Sequence, residues 1–171
     1  MITKIDFENI LTSHYFFENR LIYFIRDGKD SVVNDLFPTF DAYVKSLVTE
    51  RDQSTTIKVQ GIETYNKQIL DHCYKLTQIW NKPVDCHAYF GYGGFGSFDI
   101  HTDPCEVCIY ICEGSKQLTI DGEERLLNTG EHIYIKKDTP HKAFNTEDCL
   151  SLSFGSYDFS KTKIMDIGFK L

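Results

Sequence analysis

Hydrophobic and polar positions follow one rhythm in the first half of the chain and another in the second. Over residues 5–18 the apolar positions Ile5, Phe7, Ile10, Leu11, Phe16 and Phe17 suit a short helix and a turn. Residues 20–25 are a β-rich run, and Asp27, Gly28 and Asp30 supply a turn. Thr39 is a plausible N-cap for a helix reaching about Val48, with Phe40, Tyr43, Val44 and Leu47 on one face. A short strand is expected over residues 57–60. From Glu63 to about Ile79, Tyr65, Ile69, Cys73, Leu76 and Trp80 recur at helical spacing, which predicts the longest helix, ended by Asn81-Lys-Pro83.

After Pro83 the texture changes to short β-rich runs separated by Gly and Asp turns, over 84–90, 96–101, 106–112, 116–121, 124–127, 132–135, 140–144 and 149–155. Short strands at this spacing predict a sandwich or barrel. Asp121-Gly122 is a hairpin signal, because Asp-Gly favours the primed turns that match strand twist. Residues 160–171 read as a last strand returning to the sheet. The expected organisation is one domain over 1–171, with a mainly helical prelude carrying short strands (1–83) and a barrel with a metal site (84–155).

Composition changes this picture little. Apolar residues make up 42% of the 171-residue chain, enough for a sizeable core. The net charge of −7 argues against phosphate backbones as the main partner, so no nucleic acid is expected. No apolar run approaches the ~18 residues of a membrane span. Six cysteines and no apolar leader after Met1 point to free thiols in a reducing cytoplasm. Cys105-x-x-Cys108 resembles half of a zinc site, but no second such pair follows, and its strand-like surroundings favour buried structural cysteines.

The chemistry-bearing signal is His101-x-Asp103, followed about forty residues on by His141 after Pro140. Residues two apart on a strand point the same way, so His101 and Asp103 can share one face. Two imidazoles and one carboxylate form the facial triad of non-haem Fe(II) oxygenases, which leaves coordination positions open. His141 is the best third ligand. His14 and His72 lie in helical regions, His132 in a turn, and His87 on a strand from which it could line a pocket. Glu106 lies three residues after Asp103, so a regular strand points it away.

These residues resemble the cupin superfamily, specifically its JmjC-type hydroxylases. Gly130, His141 and Asn145 stand where the second cupin motif has Gly, His and Asn, while Lys136 and Asp138 replace its Pro and Gly. His101-x-Asp103 replaces the His-x-His of the first motif, and Gly114 falls at that motif's last Gly. The JmjC-type order of Asn-x-Tyr, His-x-Asp, Gly-x-Lys and a downstream His is matched by His87-x-Tyr89, His101-x-Asp103, Gly114-Ser-Lys116 and His141. The resemblance covers about residues 84–155.

The resemblance implies an all-β core, a double-stranded β-helix (cupin or jelly-roll barrel) with helices from the N-terminal half packed outside. It further implies an Fe(II)- and 2-oxoglutarate-dependent oxygenase, a hydroxylase acting with O₂. His101, Asp103 and His141 would hold iron. Lys116 would take the distal carboxylate of 2-oxoglutarate, with Tyr89 and Ser153 beside it. The glycine-rich segment from Tyr89 to Gly96 would cross the barrel mouth, offering Tyr92 and Phe95 to substrate. The implied substrate is an amino-acid side chain in a protein, peptide or small molecule, and a homodimer is a common cupin assembly. The alternatives are a metal-dependent cupin enzyme without 2-oxoglutarate, a dioxygenase or isomerase, and a non-catalytic cupin ligand-binding module.

Overall fold

A computed structural model of the chain describes residues 1–49 and 52–156. Two helices open it, α1 (Lys4–Leu11) and α2 (His14–Glu18). Thr3 and Asp6 close a reciprocal capping box that satisfies donors at the start of α1. The hairpin of β1 (Ile22–Arg26) and β2 (Lys29–Val32) turns at Asp27-Gly28, and short α3 (Val33–Leu36) leads to α4 (Phe40–Thr49). Strand β3 (Thr56–Val59) and a 3₁₀ turn precede α5 (Lys67–Trp80). Asn66 caps α5 by accepting from the backbone N–H of Gln68 and Ile69, and Asn81 ends it in the left-handed conformation. This cap, rather than Glu63, sets the helix start.

Seven strands follow among the described residues: β4 (Val84–Gly91), β5 (Val107–Glu113), β6 (Ser115–Ile120), β7 (Glu123–Asn128), β8 (His132–Ile135), β9 (His141–Asn145) and β10 (Cys149–Ser156). They join β1–β3 in two antiparallel sheets, one ordered β2-β1-β3-β4-β10-β5-β8 and the other β7-β6-β9. The first half is therefore more than a prelude, since β1, β2 and β3 extend the larger sheet. Strand β2 was not foreseen from the sequence, because Lys29, Asp30 and Ser31 carry no apolar alternation.

The larger sheet is covered on both faces, and the period of two decides what each face meets. Cys86, Ala88 and Phe90 of β4 and Leu150, Leu152 and Phe154 of β10 pack on the helical side, against Phe7, Ile10, Tyr43 and Ile69. Burying each such Leu, Ile or Phe contributes roughly 1.5–3 kcal/mol. The intervening residues Asp85, His87 and Tyr89 of β4, and Ser151, Ser153 and Gly155 of β10, face a cavity between the sheets. A second cluster, Ile111, Leu118, Leu127 and Cys149, packs β5, β6, β7 and β10 together.

Two expectations need correction. Residues 96–101 do not form a regular strand; only the bridges Gly96↔Phe144 and His101↔His141 tie them to β9. Glycines at 93, 94 and 96 weaken strand pairing, and Pro104 removes a donor just beyond. Tyr92 does not face the cavity. It packs edge-on against Phe90, 5.3 Å between ring centroids, on the helical side. The strand expected over 160–171 lies outside the described residues.

Candidate metal centre

His101, Asp103 and His141 converge. One ligand atom from each lies within 4.8 Å of the others, and among the described residues no other group of His, Cys, Asp or Glu does this. His141 opens β9, while His101 comes from the irregular segment alongside it. Each histidine's backbone N–H donates to the other's carbonyl, at 2.9 and 2.8 Å, and the Asp138 N–H donates to the Asp103 carbonyl at 2.8 Å. The same-side placement of His101 and Asp103 thus comes from these tethers rather than from a continuous strand.

Both imidazoles are oriented alike. The Nδ1 of His101 lies 2.9 Å from the Asp99 carbonyl, and that of His141 lies 2.9 Å from the Thr139 carbonyl. A carbonyl only accepts, so each Nδ1 carries the proton and each Nε2 is directed to ligation. His141 Nε2 sits 3.3 Å from Asp103 Oδ2. That hydrogen bond holds the Asp103 carboxyl below its usual range and raises His141 above its usual value, against the opposing effect of burial. A borderline divalent cation suits this donor set, because it would replace the proton that His141 and Asp103 share.

The cavity, about 630 Å³, has a polar side and an apolar side. Across the larger sheet, Lys58 pairs with Tyr89, and Tyr89 with Ser151; the next rows are His87 with Ser153 and Asp85 with Gly155. Ile109 and Val107 of β5 make the apolar wall. From the smaller sheet, Lys116 of β6 reaches across, its Nζ donating to Ser151 Oγ at 2.8 Å. Lys116 is 5% exposed, and burial pushes its ammonium below the ordinary lysine value. Burial, and then the carboxylates of Asp30, Asp103 and Asp85, push the Tyr89 hydroxyl above the ordinary tyrosine range, so it remains a donor.

All the residues singled out from sequence for the site line this one cavity: His101, Asp103, His141, Lys116, Tyr89 and Ser153. His87 does too, its Nε2 2.8 Å from Asp85 Oδ2. Phe95 of the glycine-rich segment does not line the cavity, whereas Phe98, two residues beyond that segment, does. Sequence reasoning missed Lys58, Asp85 and Ser151. The alternation along β4 and β10 could have signalled Asp85 and Ser151, being in phase with Tyr89 and Ser153. Glu106 stands apart, bound to Lys82 Nζ at 3.0 Å and accepting from Ser156 Oγ at 2.7 Å. The six cysteines are free, and burial raises every thiol, to about 12 for Cys73 and Cys112.

Gly114 locks the turn into β6 and so the phase of Lys116. Its φ is +83°, and a Cβ there would run into the Asp148 carbonyl. No helix among the described residues is long and apolar enough to cross a membrane.

The comparisons agree with this architecture. A family model described as the cupin domain matches residues 90–154. No curated protein matches the chain. Among solved structures, YcfD, a ribosomal oxygenase from Escherichia coli, superposes with a TM-score of 0.68 at 17% identity, covering 92% of this chain and 44% of its own. The same protein in complex with cobalt and 2-oxoglutarate superposes with a TM-score of 0.67 at 16% identity, with the same coverage. This chain thus spans less than half the length of that oxygenase. At such identity the likeness speaks for the fold, which is a cupin β-barrel, and the His/Asp/His cluster lines its cavity.

Proposed function

We infer that the protein is an Fe(II)- and 2-oxoglutarate-dependent oxygenase, a hydroxylase whose metal ligands are His101, Asp103 and His141. The observation that carries this reading is Lys116. A lysine ammonium is buried in the cavity that holds the triad, with a neutral serine hydroxyl as its hydrogen-bond partner. Burying an ammonium without a counter-charge costs several kcal/mol. A cavity that tolerates this is suited to a ligand that brings the missing negative charge, such as the distal carboxylate of a dicarboxylic keto acid. The structural likeness to an oxygenase crystallised with cobalt and 2-oxoglutarate adds support.

Iron with 2-oxoglutarate and O₂ would supply oxidation of a C–H bond, giving succinate and CO₂. This chain's own residues bind, orient and exclude water. The carbonyls of Asp99 and Thr139 hold the two imidazoles with Nε2 toward the metal position. Ser151 holds the Lys116 ammonium, and Tyr89, kept protonated, offers a second donor in the same row. Ser153 faces the cavity one row on, beside His87. The substrate belongs to the remaining volume, between the apolar wall of β5 and the glycine-rich segment; an amino-acid side chain, free or in a peptide, suits it. In this reading the chain is one domain over 1–171, with 84–155 carrying the barrel and its metal site and 1–83 buttressing it.

The deciding experiment is titration with 2-oxoglutarate in the presence of Mn(II) as an iron surrogate. Binding that requires the metal and collapses in Lys116→Ala is the expected result. Metal binding without any 2-oxoglutarate binding would overturn the reading in favour of another metal-dependent cupin enzyme. Binding of neither would favour a non-catalytic ligand-binding module.

A further inference from the structure

The cavity holds a second buried lysine that the reading above leaves unused. Lys58 lies on β3, 7% exposed, between Ile57 and Val59, which turn to the helical core. Its own side chain turns the other way and lines the cavity. Among the described residues its charge is met within the fold by Asp30 of β2 alone, at the outer side of its row across the sheet.

Lys58, Tyr89 and Ser151 form one row across β3, β4 and β10, and Ser151 is the hydroxyl that Lys116 touches. By strand spacing, Lys58 and Ser151 are roughly 10 Å apart along that row. Lys58 is held from β2 by Asp30 and Lys116 from β10 by Ser151, so the two ammonium groups are fastened from opposite sides of the row. Lys58 Nζ pairs with Asp30 of β2 and stands 4.5 Å from the centre of the Tyr23 ring. Asp30 is not part of the cavity wall, and its side chain is 34% exposed. It steadies the ammonium from the outer side. An ammonium has three donors, so capacity is left on the cavity side. Next along β3, Thr56 Oγ1 lies 3.0 Å from Ser97 Oγ, which fastens the glycine-rich segment beside Lys58.

We propose that Lys58 anchors a carboxylate of the substrate to be oxidised, so that the substrate is a free amino acid or the free C-terminal residue of a peptide. This rests on the reading that Lys116 takes the cosubstrate. The burial of Lys58 favours such a contact, because a charge-assisted hydrogen bond is about twice as strong as a neutral one. An internal residue of a protein chain presents no carboxylate of this kind.

The test uses protein loaded with Zn(II) and 2-oxoglutarate, and ligand-observed NMR. The probes are a pool of the free L-amino acids and a pool of tripeptides with free C-termini, each beside its amidated counterpart. Binding by members of one acid pool is expected, the responding pool identifying the source, with at least tenfold weaker binding of the matching amides. Lys58→Met should weaken the acid probe at least tenfold and shift 2-oxoglutarate affinity less than twofold, whereas Lys58→Arg should retain most of the binding. Equal binding of acids and amides, no binding of either acid pool, or unchanged binding in Lys58→Met overturns the proposal. A loss of 2-oxoglutarate affinity in Lys58→Met also overturns it, while leaving the oxygenase reading intact. If the wild type binds no 2-oxoglutarate, the oxygenase reading fails instead, and the acid-against-amide comparison on the Zn(II) protein still decides the role of Lys58. Should Lys58→Met fail to fold, the same comparison in the wild type decides.

Discussion

His101 and His141 are joined by two reciprocal backbone hydrogen bonds, at 2.9 and 2.8 Å, and their rings stand 4.4 Å apart between centroids. The pairing is an isolated bridge rather than part of a ladder. It brings an irregular, glycine-flanked segment into register with β9 at the position where two imidazoles must meet. The geometry of this candidate metal site is thus written into the backbone, and the carbonyls of Asp99 and Thr139 complete it by fixing each ring.

Metal binding should release a proton in the weakly acidic range. The raised value of His141 stabilises the metal-free fold below the ordinary histidine value of 6.5, and that contribution is lost as pH rises through the folded value. The lowered value of Asp103 stabilises it above the ordinary 3.8, and that contribution is lost as pH falls through the folded value. Between these limits the cation must displace the His141 proton. Calorimetric titration with Zn(II) in buffers of different ionisation enthalpy should find more proton release per site near pH 6 than near pH 8. Asp103→Ala should bind metal at least about 100-fold more weakly, a larger loss than removing an outer partner gives.

Lys116→Met should separate stability from binding. Removing a buried ammonium whose partner is neutral is expected to stabilise the protein by about 1–3 kcal/mol, or ~2–4 °C in melting temperature per kcal/mol. The same change should reduce 2-oxoglutarate affinity at least about 100-fold, the scale of a lost charge-assisted hydrogen bond. Thermal unfolding and ligand titration on the one variant check both halves.

Gly114→Ala should be among the costlier single substitutions. The left-handed φ of +83° and the approach of the Asp148 carbonyl act together, for roughly 2–4 kcal/mol. Urea unfolding should show the midpoint falling with the slope unchanged. Because the turn sets the phase of β6, residual folded protein should also bind 2-oxoglutarate less tightly. Gly122→Ala is the useful contrast, since its φ of +82° carries backbone strain while a Cβ there meets nothing.

Glu106 should matter to acid stability and not to metal binding. The Ser156 hydroxyl, and then Lys82, hold its carboxyl down at about 2. A lowered carboxyl stabilises the fold above the ordinary value of 4.5, and that contribution is lost as pH falls from there through about 2. Glu106→Gln should therefore be less stable than wild type at pH 6, with the difference shrinking as pH falls below 4.5 and vanishing only below about 2. Its metal affinity should be unchanged, and a loss there would restore Glu106 as a ligand.

Much of the barrel was legible because its strands obey a simple period. The strands over 84–91, 107–113 and 149–156 fall within a residue or two of the runs expected, and the Asp121-Gly122 hairpin lies where its turn residues predict. Residues 96–101 misled, since apolar content suggested a strand where glycines leave only two bridges. Strand β2 was hidden, because an edge strand that exposes Lys29 and Asp30 shows no apolar alternation.

The sequence alone determined the order of the chemical groups. His101-x-Asp103, Gly114-Ser-Lys116 and His141 stand at spacings that only particular barrel topologies bring together. It also determined the alternation within β4 and within β10, because a period of two keeps Asp85, His87 and Tyr89 together on one face, and Ser151 and Ser153 together on one face, once one residue of each strand is assigned. Only the tertiary structure decided which residues from distant segments meet. Lys58 faces the cavity because β3 happens to pair with β4, a contact between segments some thirty residues apart. Lys116 touches Ser151 because two sheets close on each other. Such contacts depend on sheet order and on how the barrel closes, and these are set by the packing of the whole core rather than by any local run of residues.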